Sequence, residues 1–321
     1  MQRGAYGQAP HPGTVDSVQM TSSQPTLRGA YLRPLDDPLV PARHSAGARA
    51  RAAQLQAFVR PLHRVAREAL PIEGVAALAI VGPDDWRRLF SYPYGFPFTR
   101  SGASGARLAG ADGPTVTVVI PADYPPRLVR RFDPILLRAA LAGVRPPSTA
   151  PRGPSAIEAP TPSGDVRELF DLVVGHEWGH AAAALAGLRL RVHWLDELIA
   201  TATYLAALRE VGASDVIARI LAWAAVQEAG GNDSRRDLGA FEYPRGRLRL
   251  PQLVWFQGVL TRRAWELVGT PSDPWAFLLS LHEAVAGVAP GPGTTHRGDV
   301  ARALVAVEPS FRPWFKVFAA E

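Results

Sequence analysis

The segment Val174–His180, reading V-G-H-E-W-G-H, carries the residue types and spacing best suited to chemistry. His176 and His180 are four positions apart, so on an α-helix both imidazoles leave one face, a turn apart, with Glu177 beside the first. Two neutral imidazole nitrogens suit a zinc ion (Zn2+); a third protein ligand and a water complete its shell. Zinc lowers the pKa of that water towards ~7, and an adjacent carboxylate takes its proton as it attacks a carbonyl. The pattern therefore predicts a metal-dependent hydrolytic site with Glu177 as general base. The plainer alternative is a pair of core histidines satisfied by hydrogen bonds.

A third ligand is expected downstream. The close-spaced option would need histidine at position 186, where the chain has alanine, so that site type is excluded. Seventeen residues after His180 comes Glu197, within His193–Thr201, H-W-L-D-E-L-I-A-T. A carboxylate in the first turn of a helix is favoured by the helix dipole. The short Gly187–Trp194 connection would let it face the first helix. His193 is a rival ligand. His193 or Asp196 could instead hold a ligand histidine through its distal nitrogen.

The elements that must position these groups form an α+β pattern. Residues 1–44, rich in Gly, Pro, Ser and Gln, are expected to be disordered. A single domain then spans residues 45–321. A helical pattern runs from Ser45 to about Leu70, and Pro61 is expected to kink or break it. Val75–Val81 and Thr115–Ile120 read as buried strands of a small sheet within residues 70–142, with Ser91–Gly105 an irregular loop between them. Residues 143–164 are a Pro-rich loop. A helical lobe, 165–321, follows. Its motif helix opens at Asp165 and stops at Gly187, and five further helices begin near Leu195, Ser214, Pro251, Asp273 and Gly298.

Composition narrows the partners. The chain has 321 residues and no cysteine, which excludes disulfide frameworks, thiolate metal sites and thiol nucleophiles. No apolar run reaches the ~18–20 residues of a membrane span, and the first residues lack a signal-peptide core. A cytoplasmic protein without membrane partners is expected. The net charge of +6 comes from arginines dispersed along the chain, with Lys316 the single lysine, and this weighs against nucleic acid as a partner.

H-E-W-G-H followed by W-L-D-E-L-I-A-T resembles the gluzincin zinc metallopeptidases, particularly the aminopeptidase-N-like and minigluzincin type, whose second element reads W-L-N-E-G-x-A. Trp194, Leu195, Glu197 and Ala200 match, while Asp196 replaces Asn and Leu198 replaces Gly. The resemblance implies zinc ligation by His176, His180 and Glu197, catalysis by Glu177, a peptide or protein substrate, and a zincin-like (thermolysin-like) α+β domain. It also implies that the strand before the motif helix, for which Thr115–Ile120 is the candidate, lines the groove. The family's Y-x-K-G tyrosine, which stabilises the oxyanion, meets Trp255-Phe256-Gln257-Gly258 here, with Trp255 in the tyrosine position. Tyr243, Arg245 and Tyr204 are possible substitutes. The G-x-M-E-N segment of the exopeptidases is absent, which argues against aminopeptidase action. The alternative is a catalytically weak or inactive domain of this type that binds or regulates a partner.

Overall fold

Two apolar, β-branched runs form the centre of a five-stranded sheet. β3 (Val75–Val81) and β5 (Thr115–Pro121) pair in parallel from Val75↔Thr115 to Val81↔Pro121. β1 (Arg33–Leu35) is antiparallel to β2 (Ala42–His44), β2 is parallel to β3, and β4 (Phe98–Ser101) is antiparallel to β5, giving the order β1-β2-β3-β5-β4. The computed structural model describes residues 32–91, 93–129, 166–230, 238, 250–286 and 294–318. All described residues belong to one unit, residues 31–321.

Alternate side chains of the central strands serve opposite faces. Leu78, Ile80, Val118 and Ile120 join a core with α1 (Arg49–Ala69) and α5 (Val166–Leu185). Ala79, Val81 and Val119 pack instead with Trp86 of α2 (Pro83–Leu89) and Leu108 of α3 (Gly102–Ala109). A single turn, α4 (Pro126–Val129), follows β5. The helical lobe continues through α6 (His193–Glu210), α7 (Ser214–Gly230), α8 (Leu250–Val268), α9 (Ala276–Val285), α10 (Thr294–Val307) and α11 (Phe311–Phe318). The fold is thus α+β and mostly helical. Among the described residues, no helix is long and apolar enough to cross a membrane.

Several sequence expectations need correction. Residues 33–35 and 42–44 are strands of the sheet, so order begins before Ser45 and the sheet extends outside residues 70–142. Pro61 does not break α1. The carbonyl it leaves without a helical donor belongs to Ala57, which is exposed, so solvent can satisfy it. Ser91–Gly105 is not wholly irregular: it contains β4 and the start of α3, because pairing to β5 supplies the hydrogen bonds that its Gly- and Pro-rich flanks do not suggest. α11 was not anticipated; its Phe311, Phe315 and Phe318 are buried. Residues 130–165, including the whole Pro-rich loop 143–164 and Asp165, lie outside the described residues.

Candidate metal centre

The geometry of the centre follows from how closely α5 and α6 approach. A side chain at Gly179 would place its Cβ 2.2 Å from the Ala200 carbonyl oxygen, so only glycine allows the two backbones this contact. Gly187, at φ +74°, ends α5 with Leu188 N–H donating back to the Ala183 carbonyl, and the chain reverses into α6. The reversal sets Glu197 of α6 against the histidine face of α5.

His176 Nε2 lies 3.0 Å from Glu197 Oε2, and His180 Nε2 lies 3.5 Å from Glu197 Oε1. One donor atom from each of the three residues falls within 4.8 Å of the others, a group able to hold a metal ion. Tetrahedral zinc with bonds of ~2.0–2.1 Å separates its ligand atoms by about 3.4 Å, and the 3.0 and 3.5 Å separations bracket that value.

Thr201 decides the tautomer of His176. Its hydroxyl donates to the Glu197 backbone carbonyl at 2.9 Å, so its oxygen is left to accept from His176 Nδ1–H at 3.1 Å. Nε2 then faces the Glu197 carboxylate with a lone pair. Two such acceptors 3.0 Å apart repel unless a positive charge is shared between them, either an added proton or a metal ion. The donor set therefore fits zinc on charge, distance and atom type.

The electrostatics agree. Burial alone would raise the Glu197 carboxyl, but His180 and His176 outweigh it and hold the group well below the usual carboxylate range. Burial disfavours charge on His180, yet Glu197, with a smaller contribution from Asp196, raises its pKa. Burial pushes the Glu177 carboxyl up to about 8, against the pull of His176 and with the help of Glu197.

Glu177, His180 and Glu197 line a cleft of about 570 Å³, the size of a ligand site. Its side is β4, from Phe98 to Ser101, at the edge of the sheet. The expectation that Thr115–Ile120 is the groove strand is therefore corrected: β5 is interior, and only its Val116 reaches the cleft. Arg189, in the α5–α6 connection, donates to Ser101 Oγ at 3.2 Å and ties that connection to β4.

The remaining candidates divide. Asp196 and His193 both line the cleft. Asp196 accepts the Leu190 N–H at 3.0 Å, while the distal nitrogen of His176 goes to Thr201 instead. Tyr204 does not line the cleft: seven residues beyond Glu197, it is carried under Gly175, where its ring packs and its hydroxyl is buried with no partner among the described residues. Trp255 also faces away, packing on Phe256 and Phe318. Tyr243 and Arg245 lie outside the described residues.

Sequence reasoning missed two site residues. Thr201 was recoverable, since it lies one helical turn after Glu197 and shares its face. Gln257 of α8 donates Nε2–H to Glu197 Oε2 at 2.6 Å across sixty positions; the likeness of Trp255–Gly258 to the Y-x-K-G element marks its segment but gives Gln257 no role. Comparison of the chain with family models, curated proteins and solved structures finds no match.

Proposed function

We propose that this chain is a zinc-dependent hydrolase of gluzincin type on a zincin-like domain, cleaving peptide bonds. The observation that carries the reading is the convergence of His176, His180 and Glu197, with His180 and Glu197 lining the same cleft as Glu177. Zinc held by the three ligands supplies Lewis acidity and brings the pKa of water in the site towards ~7. The positive charge of a bound zinc ion would offset the burial that raises the Glu177 carboxyl, so that Glu177 would accept the proton of the attacking water and pass it to the leaving amine. An extended peptide adds along β4, the last strand of the sheet among the described residues. Phe96 and Phe98 offer an apolar wall to its side chains. The test is zinc content of purified protein beside His176→Ala. About one zinc per chain, lost in the variant, supports the reading; near-zero zinc in both removes it.

A second reading, a zinc-bearing domain that binds a partner without turnover, is favoured by one specific observation. No tyrosine lines the cleft among the described residues, so no phenol is placed there to stabilise an oxyanion. Cleavage of a peptide library by the zinc-loaded protein, abolished in Glu177→Gln, excludes this second reading.

A further inference from the structure

Glu197 is held from behind by α8, whose Gln257 is its one contact with the centre among the described residues. Glu197 has two carboxylate oxygens in different surroundings. Oε2 accepts the Gln257 amide at 2.6 Å and lies 3.0 Å from His176 Nε2; Oε1 is the oxygen nearer His180, at 3.5 Å. A hydrogen bond to an ionised acceptor is among the stronger neutral-to-charged contacts, and a neutral amide provides it without adding a cation that would repel a metal.

The direction of Gln257 is fixed by its neighbours on α8. Phe256 is buried in the core on one side. On the other, a side chain at Gly258 would put its Cβ 2.8 Å from the Ala224 carbonyl oxygen of α7, so α8 presses directly on that helix. With residues 256 and 258 both committed, the rotation of α8 about its axis is set, and Gln257 is left aimed at α6. A glutamine serving only to bridge two helices could reach any exposed carbonyl; this one ends on the ligand oxygen.

We propose that Gln257 is a positioning residue for the metal centre, restraining Glu197 in the rotamer that presents its carboxylate to the two histidines. The inference rests on the metal reading of His176, His180 and Glu197. It predicts that Gln257 acts on metal affinity and ligand geometry more than on fold stability, as partners behind a ligand do.

The test compares wild type with Gln257→Met, which keeps length and bulk but has no donor, and with Gln257→Asn, which keeps the amide but is one methylene short. Zinc affinity is measured by chelator competition, thermal midpoints are measured on the metal-free proteins, and the visible spectrum is recorded with cobalt in place of zinc. The expected result is zinc binding weakened ~10–100-fold in both variants, an altered cobalt spectrum, and metal-free midpoints close to wild type. Unchanged zinc affinity and cobalt spectrum in a variant that folds would overturn the role of Gln257 while leaving the centre intact. Wild-type protein that binds neither ion would overturn the metal reading and this inference together.

Discussion

Two histidine environments flank the motif helix, and the contrast between them separates a ligand from a core residue. His63 of α1 is fully buried, its ring edge-on to Trp178 at 6.3 Å, and neither ring nitrogen has a hydrogen-bond partner among the described residues. His176 has both nitrogens engaged, one by Thr201 and one facing Glu197. Trp178 is two residues past His176, about 200° round the helix, so α5 presents an aromatic side to α1 and a polar side to α6. Burial, with Arg67 adding to it, lowers the His63 pKa to about 4 and keeps the ring neutral. The same residue type is hydrophobic filling on one face and a charge-sharing donor on the other. The deciding difference is whether the neighbouring helix supplies a carboxylate and a hydroxyl.

The polar side is tested most severely by Glu177→Gln. Hydrolysis should fall ~10²–10⁴-fold while zinc content stays at the wild-type level; equal loss of both would mean that Glu177 holds the metal.

The apolar side is tested by pH. An unfolded histidine titrates near 6.5 and His63 in the fold at about 4, so between those values the unfolded chain binds more protons. Stability is therefore fully present above pH 6.5, falls as pH drops towards 4, and its His63 component levels off below. The two-and-a-half-unit gap corresponds to about 3 kcal/mol. Urea titrations of wild type and His63→Phe across this range should show the variant losing less stability on acidification; parallel curves would contradict the neutral, buried assignment.

Gly179→Ala attacks the contact that brings the two polar helices together. Its added Cβ collides with backbone at Ala200, so a loss of ~1–3 kcal/mol in unfolding free energy is expected, accompanied by weaker zinc binding. Full zinc affinity in this variant would show that the α5–α6 spacing is not what assembles the site.

The smallest effect belongs to the tautomer. Thr201→Val keeps shape but removes the acceptor of His176 Nδ1–H, and zinc affinity should drop about tenfold, the lower end for a partner behind a ligand. No change would place the proton of His176 under some other control.

What could be read from the sequence follows the range of the interactions involved. The motif face of α5, the β3 and β5 runs and the turn at Gly187 are local signals, and the structure has them where expected. β1, β2 and β4 are three or four residues long, too short for a period, and exist because neighbouring strands complete their hydrogen bonds. Pro61 is tolerated because of which side of α1 faces solvent, a tertiary fact. His63 carries no local mark distinguishing it from a ligand. Gln257 depends on the packing of α8 against α7, which no motif encodes.

The most direct test of the centre is zinc-edge X-ray absorption on the purified wild-type protein. The expected shell is two imidazole nitrogens at ~2.0–2.1 Å with oxygen at ~2.0–2.2 Å, and one imidazole is lost in His180→Ala. A wild-type shell of oxygen alone, or a spectrum unchanged by that substitution, would contradict it.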